Sequence, residues 1–446
     1  MTISKLLEVA NGWAWGPPML ILLVGTHLFL TFRLRFIQRY IGHAIRLSFQ
    51  RTREGEGDVS HFGALTTALA ATIGTGNIIG VATAISLGGP GAVLWMWLTG
   101  VFGIATKYAE ALLSVKYRIT TPSGTMAGGP MYVLERGLKN KPLAIFFAVM
   151  TAIAAFGIGN TVQANAVVSL VCETFPTVPA VYFQWGLGLA MSAMTAAVIL
   201  GGIRSIARFC EFLVPFMAGI YVLGCVAILV MNWRALPSTF STIFTTAFTG
   251  QAAVGGFLGA GLKQAIRYGV ARGLFSNESG MGSAPIVAAA AQTKTPVRQA
   301  LVSATGTFWD TVVICALTGL VLVSSGHWQE GLSKAALTKA AFADLHDVGP
   351  IVLFFGLLTF VFSTILGWSY YGEKAVEYLF GSGAIRSYRW LWVAAVLVGS
   401  VVPLQLVWDF ADVANALMAI PNLISLLLLS PILVAETRQH LWELKD

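Results

Sequence analysis

Two short runs place polar chemistry inside otherwise apolar sequence. GTGN at 74–77 interrupts a hydrophobic stretch and leaves several N–H and C=O groups without i to i+4 partners. The N–H groups that open a half-helix after such a break suit an anion, for example a carboxylate. The carbonyls that close the half-helix before it suit a hard cation such as sodium. Asn77 adds an amide. Close packing of helices through small residues is the competing explanation, although packing requires glycine spacing and not the TGN sequence. In FSNESG at 275–280, the polar residues Ser276, Asn277, Glu278 and Ser279 sit together between apolar segments. An acidic side chain at the centre of a membrane helix costs roughly 2.5–3.5 kcal/mol, so Glu278 must face protein or water. It can bind a cation, relay a proton, or accept hydrogen bonds from the backbone of a broken helix. Lys263, Arg267 and Arg272 precede it at i, i+4 and i+9, which suits a membrane-edge position where they snorkel or pair with acids.

Two further runs offer polar groups at helical spacing. GIGNTVQAN at 157–165 carries Asn160 and Gln163 at i and i+3, on one face, where their amides would orient a zwitterion or pack against another helix. Phe360, Ser363 and Thr364 follow i, i+3, i+4 spacing, so one carbonyl and two hydroxyls can point at one spot. Hydroxyls in membrane helices more often bond their own i−4 carbonyl. Trp368, one turn beyond Thr364, can cap a cavity. Lys107 with Glu110, and Glu373 with Lys374 and Glu377, read as charge clusters near helix ends. Enzyme chemistry has little support, since none of the six histidines lies in an HExxH or similar spacing. The four cysteines (Cys172, Cys210, Cys225, Cys315) lie far apart, without the spacing of a metal site or a disulfide framework.

The elements that must hold these groups are membrane helices. Only 11% of the 446 residues are charged and 56% are hydrophobic, whereas a soluble domain carries about 25% charged residues. Apolar stretches of about 20 residues predict eleven spans, near 15–32, 62–86, 90–115, 143–171, 180–201, 205–231, 262–291, 299–325, 350–380, 389–408 and 411–435. The Thr- and Gly-rich stretch 235–261 reads as a re-entrant or surface-lying loop segment. Arg33 and Arg35 follow the first apolar stretch and no cleavage site appears, so this span is expected to be uncleaved. On this threading 19 Lys and Arg fall on one side and 4 on the other. The positive-inside rule then places the N-terminus outside and the C-terminus in the cytoplasm. The net charge of +8 follows from this sidedness and implies no nucleic-acid partner, because the basic residues occupy short loops and not a solvated patch.

The second and seventh spans also match each other. At an offset of 206, Gly74, Gly76, Val81, Ala82 and Ala84 fall on Gly280, Gly282, Val287, Ala288 and Ala290, while Pro90 and Pro215 fall on Pro296 and Pro421. The two sets of five spans would run in opposite directions. Inverted repeats with Gly-interrupted segments at matching positions point to a secondary transporter with its site near the bilayer midplane. A membrane enzyme, a passive channel and a receptor are the rival readings.

The runs GTGNIIGVATAISLGGPGAVLWMW at 74–97, YGVARGLFSNESGMGSAPI at 268–286 and FSTILGWSYYGEKA at 362–375 resemble the signatures of the alanine/glycine:cation symporter family, the sodium:alanine symporters. The similarity runs along essentially the whole chain. It implies an all-α polytopic fold of the LeuT type, five plus five inverted helices with one extra N-terminal span. It also implies import of alanine or glycine with sodium or, in some members, protons, without a cofactor. The expected organisation is an N-terminal span and basic loop (1–61), a first repeat (62–232), an external segment (233–261), a second repeat (262–436) and a tail (437–446). Carried over by position, the resemblance implies a substrate region at Thr75, Gly76, Asn77, Gln163, Phe275, Ser276 and Trp368. It implies a cation site at carbonyls around Ala71 and Gly74 with Ser363 and Thr364. Glu278 is the candidate for gating or proton relay. Short loops and the lack of added domains favour a prokaryotic plasma membrane.

Overall fold

In the computed structural model, residues 3–50, 55–175, 177–249, 261–332, 334–346, 348–402 and 405–443 are described. The chain is mostly helical. Each of the eleven apolar stretches contains helix, in chain order α1 (Lys5–Arg33), the pair α2 (His61–Thr72) and α3 (Gly76–Gly88), α4 (Ala92–Lys116) and α5 (Lys141–Cys172). They continue as α6 (Ala180–Ile199), α7 (Gly202–Met231), the short surface helix α8 (Leu236–Thr249), α9 (Gly261–Asn277) with α10 (Pro285–Ala288), and α11 (Pro296–Ser324). The last are the short helix α12 (Lys334–Ala343), then α13 (Val348–Phe380), α14 (Ile385–Val401), α15 (Gln405–Leu428) and α16 (Ser430–Thr437). By length and hydropathy 7 of these helices can cross a membrane, or 8 with the bent pair α2/α3. Of the remaining expected spans, α9 and α14 have 17 residues each.

The 235–261 stretch differs from a loop. Its first part is the 14-residue helix α8, about 21 Å long at 1.5 Å per residue, too short for a ~30 Å hydrocarbon core. Phe240, Phe244 and Phe248 project from one exposed face at i, i+4, i+8, and Thr239, Ile243, Thr246 and Ala247 are buried on the other. Residues 250–260, and Arg51 and Arg53 of the basic loop, lie outside the described residues.

Local chemistry starts the helices that matter for the centre. Ser60 caps α2 by accepting from the Gly63 N–H (2.9 Å), Asn140 caps α5 through Leu143 (3.1 Å), and Thr295 caps α11 through Arg298 (3.4 Å). Proline stands in the first turn of both α5 and α11, where its missing N–H is no loss. The ends of the two broken segments are tied together, because Glu56 bridges to Thr293 and Val59 to Ala291. Arg118 closes that junction with hydrogen bonds to the carbonyls of Ala289 (3.0 Å), Ala291 (2.8 Å) and Glu56 (2.7 Å). Next to it, Ile119–Thr120 and Met126–Ala127 form a two-stranded antiparallel ladder.

Helix α13 lies directly on the break in α2/α3. A Cβ on Gly367 would meet the Ala71 backbone nitrogen at 2.7 Å, and a Cβ on Gly74 would meet the Thr364 hydroxyl at 2.7 Å. The contact therefore needs glycine on each side. The two loop-bearing ends of the molecule also differ. One carries Arg33, Arg118, Arg136 and Arg389 and is called the basic end below; α1, α9 and α15 begin at the opposite end.

Candidate functional site

The α2/α3 segment is a true break, bent by 55°. Ile73 takes an extended conformation and donates its N–H to Leu69 O (2.8 Å), which ends α2. The Asn77 side chain then folds back to accept from the Gly74 N–H (2.8 Å), and α3 begins with a wide π turn over Gly76–Gly80. The second break is built differently. Helix α9 stops at Asn277, after which Glu278 (φ 54°), Gly280 (φ 92°) and Gly282 (φ 86°) all hold positive φ. Glycine is needed at the latter two because that backbone region penalises a Cβ. Glu110 of α4 holds this loop, accepting from the N–H groups of Gly280 (3.0 Å) and Gly282 (3.0 Å) and from Asn422 of α15 (2.6 Å). The Glu110 reading near a helix end thus becomes a buried structural carboxylate. The two breaks correspond in sequence, but only the second uses left-handed backbone.

Between the breaks lies a cavity of about 20 Å³, space for roughly one water-sized sphere. Of the residues singled out in the sequence, Ala71, Gly74, Thr75, Gly76, Gln163, Phe275, Glu278, Thr364 and Trp368 line it, joined by Thr72, Ile158 and Asn415. Five helical segments (α2, α3, α5, α13 and α15) and the α9 end contribute. Trp368 is fixed by an edge-on contact with Tyr371 (5.5 Å between centroids) and by a hydrogen bond from its indole N–H to Glu278 Oε1 (3.2 Å). The other oxygen of Glu278 accepts from the Ser283 hydroxyl. Glu278 thus lines the cavity and braces the loop through Ser283, accepting from side chains and not from backbone N–H groups.

Three expected residues are not on the cavity wall. Asn77 and Ser276 converge instead on Asp310 of α11, a buried acid that the sequence reading passed over. The Asn77 amide donates to Asp310 Oδ1 (2.7 Å), and the hydroxyls of Ser276 (2.9 Å) and Thr311 (2.7 Å) donate to Oδ2. Asp310 therefore latches both breaks to α11, and the lone acid in the middle of a span was the signal that marks it. Ser363 points at α2, donating to Ala70 O (3.1 Å) and Phe360 O (2.8 Å), while Thr364 donates to Phe360 O (2.9 Å). Asn160 turns toward α14 and donates to Trp392 O (3.0 Å), so it does not share the cavity with Gln163.

The cavity has two chemical poles. One is the N-terminal end of α3 at Thr75 and Gly76, where the first N–H groups of a helix lack i−4 partners. The other holds two buried amide oxygens, Gln163 Oε1 and Asn415 Oδ1, without a hydrogen-bond partner among the described residues. The Gln163 amide nitrogen is already fixed to Ile158 O (3.0 Å), which leaves that oxygen as an acceptor. Oxygen donors for a hard cation are present at the end of α2 and on Thr364, and the arrangement fits neutral-oxygen ligation of sodium.

Beyond Phe275 a wider vestibule of about 490 Å³ opens, lined by Arg267, Arg272, Asp409, Asp412 and, from α1, Asn11 and Trp15. The Trp15 indole donates to Asp412 O (3.3 Å). Toward the basic end the structure is closed by Arg389, which donates to both oxygens of Glu373 (2.6 and 3.0 Å), and by Lys374 with Glu377 (2.7 Å). Among the described residues no group of three or more His, Cys, Asp or Glu can hold a metal.

A helical membrane protein with paired broken helices around a small bipolar cavity is a secondary transporter of the LeuT type. The profile of the sodium:alanine symporter family matches residues 1–446, and the chain belongs to that family. It is 51% identical to the sodium/alanine symporter AgcS of Methanococcus maripaludis, over 98% of this chain and 97% of that protein. It is 36% identical to the probable sodium/glutamine symporter GlnT of Bacillus subtilis, over 98% of this chain and 91% of that one. Among solved structures it is similar to MhsT in complex with L-phenylalanine, with a TM-score of 0.60 and 16% identity, covering 85% of this chain and 98% of that one. That likeness concerns the fold.

Proposed function

We propose that the chain imports a small neutral amino acid, alanine or glycine, together with sodium by alternating access. The observation that carries this is the chemistry of the cavity wall: the N-terminal end of α3 at Thr75 and Gly76, and two buried amide oxygens without a partner among the described residues, Gln163 Oε1 and Asn415 Oδ1. Those are the complements of an α-carboxylate and an α-ammonium. Sodium is assigned to the carbonyls at the end of α2 near Ala71 and Gly74 with Thr364, next to the carboxylate pole. Ser363, which reaches the Ala70 carbonyl, orients that segment. Asn77 and Ser276 are assigned to holding the breaks on Asp310 and not to direct substrate contact. Membership of the sodium:alanine symporter family supports the same substrate and ion.

The cavity is smaller than alanine, so binding requires its walls to part, with Phe275 as the moving element between cavity and vestibule. Orientation follows the charge asymmetry, with the N-terminus outside, the basic end in the cytoplasm and the chain in a prokaryotic inner membrane. The energetics suffice. One charge crossing 100 mV supplies about 2.3 kcal/mol and a tenfold sodium gradient about 1.4 kcal/mol, enough for accumulation of a few hundredfold. Proton coupling through Glu278, which faces the cavity, is the second reading. Uptake of labelled alanine into proteoliposomes tests both. Alanine should concentrate under an inward sodium gradient and not when choline replaces sodium at fixed pH. Equilibration without concentration would rule out symport, and accumulation driven by a proton gradient in choline would assign the proton.

A further inference from the structure

Next to the central cavity lies a second, mostly apolar chamber of about 200 Å³, ten times larger. It is roofed by α12 and walled by Ile79 of α3, by residues of α5, and by Leu353, Leu357 and Val361 at i, i+4, i+8 of α13. Thr75 is the only described residue that lines both spaces. Thr75 therefore belongs to the partition between them.

Phe275 also borders a larger space, the vestibule, whereas the walls at Trp368 and Thr364 are packed. Trp368 packs against Gly159 and Tyr371, the Phe275 ring lies 3.5 Å from where a Gly76 Cβ would be, and Thr364 presses on Gly74. Thr75 also behaves unlike its neighbours in sequence. Thr67 and Thr83 return their hydroxyls to i−4 carbonyls (2.7 Å each), whereas Thr75 makes no such bond among the described residues. Its hydroxyl is thus not tied back to the helix, and the residue borders both spaces.

We propose that Thr75 sets the upper limit on substrate side-chain size, and that the chamber is the room larger apolar side chains would occupy if the partition were shortened. This rests on the amino-acid transport reading above. It assigns selectivity to the Thr75 side chain, separate from the backbone N–H that serves the carboxylate pole. The family contains both a sodium/alanine and a probable sodium/glutamine symporter, so one fold serves side chains of different size.

The test compares sodium-driven uptake of alanine, valine and leucine by the reconstituted full chain, its Thr75→Ala and Thr75→Ser variants, and the double variant Thr75→Ala/Val361→Phe. Each added methylene that a pocket must reject is discriminated by roughly 10- to 200-fold. Thr75→Ala should accordingly raise valine uptake relative to alanine by about tenfold or more. Thr75→Ser should do so to a smaller extent, and Val361→Phe, by refilling the chamber, should restore the original preference. Where a variant does not transport, the thermal stabilisation given by alanine and by valine in sodium reads the same preference. An unchanged alanine-to-valine ratio in both single variants overturns the inference, as does loss of alanine binding in both, which would make the hydroxyl or methyl a ligand. Failure of the unaltered protein to concentrate alanine would instead strike the transport reading itself.

Discussion

Lys107 shows how far single residues can be read. It is 4% exposed, and its ammonium has no hydrogen-bond partner among the described residues. Three carboxylates, Glu110, Glu278 and Asp310, are buried in the same interior, so Lys107 is a countercharge without a direct contact. A unit charge at a separation on the order of 10 Å, with an effective dielectric of about 20, contributes about 1.7 kcal/mol. Lys107→Met should therefore strengthen apparent sodium binding by roughly tenfold, seen as a lower half-saturating sodium concentration for alanine uptake, and Lys107→Arg should not. Equal sodium dependence in all three proteins would mean that the charge is screened from the site. The amide oxygens make a complementary prediction. A hydrogen bond to a charged group is worth about 1.5–3 kcal/mol, so Gln163→Leu or Asn415→Leu should raise the KM for alanine by roughly 10- to 150-fold. Sodium-induced thermal stabilisation without alanine should stay the same; its loss would place these amides at the cation instead. Gln163 was legible because GNTVQ puts an amide one turn from another amide inside an apolar helix. Asn415 was not, since nothing in DVANALM separates a cavity-facing amide from one that packs.

At the scale of elements, both broken helices were legible in glycine-rich polar runs, but their support was not. The GTGN break is latched by Asp310, 233 residues away from Asn77, and the second break by Glu110, 170 residues from Gly280. Periodicity cannot report partners so distant. It could report that an acid stands within a span, and reading Asp310 in that way would have found the latch. Glu110 had a helical neighbour, Lys107, that suggested a local pair and concealed its role. The Thr-rich stretch after α7 is too polar for a span and reads as a re-entrant or surface-lying loop segment, yet its phenylalanines repeat every four residues and make a short amphipathic helix. The Glu110 clamp can be tested directly. Each buried N–H left without an acceptor costs about 1–3 kcal/mol, and Glu110→Ala strands those of Gly280 and Gly282. A clear fall in Tm in detergent, with loss of alanine uptake, is expected, whereas Glu110→Gln keeps one acceptor oxygen and should fall less. Equal thermal stability of Glu110→Ala and the unaltered protein would show that the loop is held by Asn422 alone.

At the scale of the whole molecule, the two ends differ in what they place beside the cavity. The vestibule extends from the end where α1, α9 and α15 begin down to Phe275, whereas the basic end is closed by Arg389 with Glu373, Lys374 with Glu377, and Tyr378 with Glu135 (2.8 Å). Alternating access requires this closure to break while the vestibule shuts. The Glu373 carboxylate is 6% exposed, and removing the partner of a buried ion pair costs about 3–5 kcal/mol because the remaining charge is stranded. If the form open at the basic end is populated at about 1:99, as is common for minor conformers, an inversion to 99:1 takes about 5.5 kcal/mol. A loss of about 3 kcal/mol, the low end for the partly exposed Arg389, then brings the two forms to near-equal populations. Arg389→Gln should therefore make a cysteine at Thr72, on the cavity wall, react with a membrane-impermeant maleimide supplied at the basic end. In the parent protein carrying only the Thr72→Cys reporter, labelling from that side should be slow, and alanine with sodium should slow it further. Equal labelling with and without Arg389→Gln would remove the Arg389–Glu373 pair from the gate and leave closure to the Arg118 junction. Because the reagent is applied to one face at a time, the face that labels also reports whether the basic end lies in the cytoplasm.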